Sequence, residues 1–291
     1  MLRWRLLLGV GFIAALFALM AADHRSTTPG SWLLLLALAL GLAGAQEVVS
    51  LLVAGGNDPR ASVIYGGTLL VIASNAVPLF WLPSDEPLAR LVWPLLAFAA
   101  SVLAAFVGEM LRYKRPGGVM VNVALAIFGV AYIGLTLSFA CQLRILGGAT
   151  SGLIGLTALV IVVKLGDIGA YTVGRLVGRR KMAPVLSPGK TWEGAAGGIV
   201  FACLGAWLAM EWLPRAFDEP LAQHAWSWLL FGPVVGVTGI VGDLAESLFK
   251  RDVGRKDSST WMPGFGGVLD ILDSILFAAP VAYFCWWLVT V

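Results

Sequence analysis

Between Ser247 and Ser274 the chain reads SLFKRDVGRKDSSTWMPGFGGVLDILDS, basic residues interleaved with aspartates around a Pro-Gly-x-Gly-Gly turn. Asp270 and Asp273, three residues apart, share one face of a helix. Asp243 precedes them in GIVGDLAESLFKR, toward the end of the foregoing apolar run. Acidic groups at that depth are costly and mark sites. Three carboxylates at neighbouring helix ends can hold Mg²⁺, which takes one or two carboxylates plus water and phosphate oxygens. Lys250, Arg251, Arg255 and Lys256, with Asp257 among them, would face a phosphate-rich substrate. Gly264, Gly266 and Gly267, opening a helix, offer backbone N–H groups and a positive dipole end to phosphate. The plainer alternatives are aspartates that cap helix starts and cations that anchor to anionic lipid.

A second polar cluster runs from Lys164 to Gly194, KLGDIGAYTVGRLVGRRKMAPVLSPGKTWEG. Asp167 is expected to end one apolar run. Ser187, Gly189, Lys190 and Thr191 precede the next, a turn offering hydroxyls, N–H groups and a cation to phosphates. Gly189-Lys190-Thr191 invites a P-loop reading, but that motif needs glycine where Pro184 stands. An ATPase of that class is excluded. The alternative is a polar connector.

The elements that must position these groups are membrane helices. Of 291 residues, 59% are hydrophobic and only 13% charged, against roughly 25% charged in soluble domains. A helix crosses the hydrocarbon core in about 20 apolar residues. Nine stretches qualify, near 4–22, 31–54, 61–82, 91–111, 119–141, 145–166, 194–213, 226–248 and 268–290. The first follows Arg3 and Arg5 and is read as a retained helix rather than a cleaved signal. With nine spans, Arg25, Arg90, Arg144 and Arg215 fall on one side, Lys164 lies within a span, and the other fifteen basic residues share the opposite side. The positive-inside rule makes that richer side cytoplasmic, with the N-terminus inside and the C-terminus outside. The expectation is an all-α polytopic membrane protein forming a single domain. Residues 1–144 carry less specific spans and 145–291 carry the chemistry.

Cys141, Cys203 and Cys285 lie in or beside apolar runs without paired spacing and read as core residues. Gln46, Glu47, Asn75 and Glu109 read as helix–helix contacts, and Lys164 as a snorkelling lysine.

DIGAY (Asp167–Tyr171), SPGKTWEG (Ser187–Gly194), GDLAESLFKR (Gly242–Arg251), KDS (Lys256–Ser258) and Pro263–Ser274 together resemble the phosphatidate cytidylyltransferases, or CDP-diacylglycerol synthases. The resemblance covers the C-terminal half in motif order; the N-terminal half matches only as spans. It implies transfer of CMP from CTP to phosphatidate in a bacterial inner membrane, giving CDP-diacylglycerol and pyrophosphate. Mg²⁺, with or without a second cation, would be held by Asp243 and Asp270 with Asp273 in support. Lys190, Lys250, Arg251 and Lys256 would neutralise the triphosphate, and Asp167 could order the cluster or join the metal shell. Such a chain could work alone or as a homodimer, and no nucleic-acid partner is expected. Two positions depart from the family pattern, Phe265 for a usual His and Ile271 for a usual Arg. Transfer to another lipid phosphate or polyprenyl acceptor, an impaired paralogue, and an ion-binding transporter remain the alternatives.

Overall fold

The structure, a computed structural model, describes residues 2–84, 86–217, 226–259 and 266–290. Eight helices are long and apolar enough to cross a membrane: Ser31–Ala54, Ala61–Trp81, Pro87–Arg112, Val119–Ile145, Ala149–Val177, Trp192–Ala216, Ser227–Asp252 and Leu269–Thr290. A further helix, α1 (Leu2–His24), covers the first expected span. The all-α polytopic reading therefore holds. In a bilayer only helices and closed barrels satisfy every backbone group, and this hydropathy pattern selects helices.

Two of these rods are not uniformly α-helical. α3 (Ala61–Ala73) is followed by a π-helical turn at Val77–Trp81, and α5 (Val119–Gly129) passes through a π-helical stretch, Val130–Leu135, into α6 (Thr136–Ile145). Pro78 falls in the first π turn. The backbone disturbed before it finds side-chain donors: Asn75 Nδ2 bonds the Ile72 carbonyl at 2.8 Å and Ser138 Oγ at 3.0 Å, and Gln142 Nε2 bonds Asn75 Oδ1 at 2.8 Å. Asn75 is thus a helix–helix contact. So is Gln46 of α2 (Ser31–Ala54), which accepts from the Tyr65 hydroxyl of α3. Glu109 instead pairs within its own helix, α4 (Pro87–Arg112), with Arg112 at 2.6 Å.

The chain packs as two compact units, Met1–Gln142 with Asp252–Ile271, and Leu143–Arg251 with Leu272–Val291. In the first unit, Ala45 and Val49 of α2 meet Ile64 of α3, Ala105 of α4, and Val123 and Ala126 of α5 in a buried apolar core.

The second unit is built on glycine-lined crossings. α7 (Ala149–Val177) and α8 (Trp192–Ala216) approach so closely that a Cβ at Gly194 would lie 2.8 Å from the Ala170 carbonyl, and one at Gly198 3.1 Å from that of Gly166. Small residues permit this contact where lipid supplies no hydrophobic drive between helices. α9 (Ser227–Asp252) presents Gly232 and Gly236 to Cys203 and Ala202 of α8, and Gly242 to the backbone of Asp273 and Ser274 on α10 (Leu269–Thr290). A Cβ at Gly242 would stand 2.6 Å from the Asp273 carbonyl oxygen. The glycine before Asp243 thus lets that aspartate approach Asp273.

Asp167 does not end its helix, as the sequence suggested: α7 runs on to Val177. The remaining connector is an antiparallel hairpin of β1 (Lys181–Ala183) and β2 (Ser187–Thr191), with Lys181 opposite Thr191 and Ala183 opposite Ser187. Pro184 lies in the turn joining the two strands.

Candidate active site

In the second unit a cleft of about 450 Å³ is lined by Asp167, Tyr171 and Arg175 of α7, Ser187, Gly189, Lys190 and Thr191 of β2, and Asp243 of α9, among others. That volume is in the range that holds small-molecule ligands. Lys190 Nζ lies 2.7 Å from Asp243 Oδ2, with the two side chains 21% and 37% exposed. Lys164 pairs with Asp167 at 3.3 Å across one turn of α7. Asp273 is buried, and Asp243, Asp167 and Lys164 are near enough for their charges to act on it. Three carboxylates and two lysines therefore share one small polar region between apolar helices.

The hairpin is held at both ends. Thr191 caps α8, its hydroxyl accepting from Gly194 N at 3.1 Å, and the Glu193 carboxylate accepts from the backbone N–H groups of Arg179 and Arg180 at 3.0 and 3.1 Å. At its turn, Arg251 Nε donates to the Leu186 carbonyl at 3.3 Å. These contacts fix the strand from which Lys190 reaches Asp243. The hydroxyl of Thr191 is committed to the helix start, whereas Ser187 and Gly189 remain partly or fully exposed along the cleft.

The first unit carries a second constellation, at the start of α10. Asp270 Oδ2 accepts from Ser258 N at 3.0 Å, Ser258 Oγ at 2.6 Å and Gly267 N at 2.7 Å. Glu47 of α2, 6% exposed, accepts from Val268 N at 2.9 Å, Leu269 N at 2.8 Å and Ser258 Oγ at 2.7 Å. Two carboxylates thus satisfy the orphan donors and positive dipole of one helix start. Gly266 has φ +85°, and a Cβ on Gly267 would collide with the Glu47 carboxylate and the Ser258 hydroxyl. Lys256 and Asp257 line a neighbouring cavity of about 530 Å³ with Arg255, Ser258 and Glu47. Arg255 donates to Ser50 Oγ at 3.0 Å.

Of the residues singled out from sequence, Asp167, Ser187, Gly189, Lys190, Thr191 and Asp243 line the cleft of the second unit, and Asp273 stands beside it. Lys256, Asp257, Gly266, Gly267 and Asp270 belong to the first unit. There Asp270 makes the helix-capping bonds that were its alternative reading. Lys250 is buried against Glu246 at 2.5 Å on the same helix and, like Arg251, is not among the cleft-lining residues. Gly264, with Pro263 and Phe265, lies outside the described residues.

Sequence reasoning missed Glu47 as the cap of α10, because nothing local links residue 47 to residue 268. It also passed over Tyr171 and Arg175. Their spacing from Asp167, four and eight residues on, was a usable sign of one continuous helical face.

Among the described residues no group of three or more carboxylate, histidine or cysteine side chains forms a cage for a metal ion. The donors at hand are hard carboxylate oxygens. They suit Mg²⁺ if substrate phosphates and water complete its shell.

The model of the Cytidylyltransferase family matches residues 3–289. A phosphatidate cytidylyltransferase of Pseudomonas aeruginosa is 37% identical over 238 residues, covering 82% of this chain and 81% of that protein. One from Mycobacterium leprae is 30% identical over 269 residues, 88% of this chain and 79% of the relative. One from Staphylococcus epidermidis is 37% identical over 187 residues, 64% of this chain, and the match spans 66% of the relative's length. With the match running almost from end to end, the chain belongs to the Cytidylyltransferase family.

Proposed function

We propose that this chain transfers CMP from CTP to phosphatidate, forming CDP-diacylglycerol and pyrophosphate, at a Mg²⁺-dependent site on the cytoplasmic side of the membrane. The observation that carries the reading is the cleft in which Lys190 of the Ser-Pro-Gly-Lys-Thr strand meets Asp243, with Asp167 in the same wall. The name shared by the relatives supplies the acceptor.

Phosphoryl-type transfer needs positioning and charge neutralisation more than covalent help. The acceptor's own phosphate oxygen forms the bond to the α-phosphorus of CTP, and the bond to the β-phosphate oxygen breaks, releasing pyrophosphate. No activated serine or cysteine is required. Asp243 with Asp273 would hold Mg²⁺, substrate phosphates and water completing its shell, and Asp167 would order the cluster. When bound, the ion would polarise phosphate oxygens and offset the charge developing on the departing pyrophosphate. Lys190 serves as an internal counter-ion for Asp243. Oxygens of an incoming triphosphate would take the place of the Asp243 carboxylate as partners of the ammonium. The N–H groups around Gly189 and the hydroxyl of Ser187 line the path that the phosphates would follow.

A second reading, transfer to a different lipid phosphate, draws on Phe265 and Ile271. One experiment separates the two. The purified full chain in lipid nanodiscs is given α-labelled CTP and Mg²⁺ with phosphatidate or with a polyprenyl phosphate. Labelled CDP-diacylglycerol with phosphatidate alone supports the first reading, and label on the polyprenyl lipid alone replaces it.

A further inference from the structure

α7 continues for ten residues after Asp167, and along that extension Asp167, Tyr171, Gly174 and Arg175 all face the cleft. Two helical turns separate Asp167 from Arg175, about 12 Å along the axis.

Arg175 differs in what it touches from Lys190, which lines the cleft with it, and from Lys164 one turn before Asp167. Lys190 and Lys164 are each paired with a carboxylate. Arg175 Nη1 instead donates to the Tyr171 hydroxyl at 2.7 Å, and its guanidinium carbon lies 5.9 Å from the centre of that ring. The phenol orients the guanidinium without cancelling its charge. One of five N–H donors is taken, which leaves a planar fork suited to phosphate oxygens. Seven residues before Arg175, and therefore on nearly the same helical edge, Ile168 is 54% exposed; further round, Leu176 is 77% and Val177 56% exposed. Among the described residues this cation has no carboxylate partner, and it is bordered by polar cleft on one flank and exposed apolar side chains on the other. A ligand with a phosphate head and an apolar tail matches that border, and a free nucleotide does not.

We infer that Arg175, braced by Tyr171, binds the phosphomonoester head of the acceptor lipid, whose chains lie along the Ile168 and Leu176 edge. The inference rests on the proposed reaction and names the acceptor end of that cleft. Both side chains are exposed, so replacing them leaves the packed helices intact.

The test uses the full chain in nanodiscs with Arg175→Gln, Arg175→Lys and Tyr171→Phe. Losing one charge-assisted contact to phosphate costs about tenfold or more in affinity. Arg175→Gln is expected to raise the KM for phosphatidate by about that factor while the KM for CTP stays within about twofold. Arg175→Lys should recover part of the loss, and Tyr171→Phe should show a smaller loss of the same kind. Glycerol 3-phosphate, the soluble head alone, should compete with phosphatidate in the wild type and lose that competition in Arg175→Gln. A parallel rise in the KM for CTP would assign Arg175 to the nucleotide and overturn the inference, as would an unchanged KM for phosphatidate. Equilibrium binding of a fluorescent phosphatidate to wild type and Arg175→Gln is measured alongside. If the wild type makes no CDP-diacylglycerol, the proposed reaction fails, yet weaker binding by the variant still supports the inference and equal binding refutes it.

Discussion

At the scale of single residues, Lys190 and Asp243 set the charge balance of the cleft. Their 2.7 Å ion pair keeps a carboxylate neutralised inside a cleft that would otherwise present clustered negative charge to an anionic substrate. Replacing Lys190 by Met removes that counter-ion. Mn²⁺ binding to Lys190→Met without nucleotide, followed by paramagnetic resonance, should therefore be tighter than in the wild type. Its KM for CTP should rise by about tenfold, the loss expected for one charged phosphate contact. Unchanged values of both would take Lys190 out of the site. Asp243 was legible from sequence because a carboxylate inside an apolar run stands out against lipid, and Ser187 and Lys190 because they form a compact polar turn just before one. Thr191 was harder to read: a threonine before a helix serves phosphate and capping alike, and here its hydroxyl caps Gly194. For Lys250, spacing located the charge but not Glu246 as its partner.

Elements position these residues through close backbone approach. α9 presents Gly242 against the Asp273 carbonyl, where a Cβ would stand 2.6 Å away. Gly242→Val should push α9 from α10 and abolish CTP turnover while far-ultraviolet circular dichroism keeps the helical signal; retained turnover would mean the crossing tolerates the shift. At the start of α10, Glu47 takes two backbone N–H groups and the Ser258 hydroxyl. Glu47→Ala should cost about 2–4 kcal/mol, since buried donors are left unsatisfied. Thermal unfolding in detergent would show it as a lower midpoint, with partial recovery in Glu47→Gln. Hydropathy located the helices closely because the bilayer demands a set length of apolar chain. It could not find the end of α7, since Asp167 interrupts the apolar run without breaking the helix, nor the hairpin, whose strands are too short for a periodic signal.

At the scale of the whole molecule, the distribution of basic residues supports the proposed cytoplasmic placement of the Lys181–Thr191 hairpin, the segment best suited to report it. Val185, 90% exposed at its turn, can carry a single cysteine once Cys141, Cys203 and Cys285 are replaced. Val185→Cys in intact cells should resist a membrane-impermeant maleimide and react after the membrane is opened. Labelling in intact cells would invert the topology. The distribution of the motif residues over two units was beyond reach of sequence, because the segment 252–271 packs with helices two hundred residues earlier. The central claim, that Asp243 and its cleft carry Mg²⁺-dependent CMP transfer to phosphatidate, is tested most directly by one comparison. Formation of labelled CDP-diacylglycerol from CTP and phosphatidate is measured for wild type and Asp243→Asn, with Mg²⁺ and with excess chelator. The account predicts product from the wild type with Mg²⁺ and a loss of about a hundredfold or more in the variant or with chelator. Equal product from Asp243→Asn, or undiminished product with the metal removed, would contradict it.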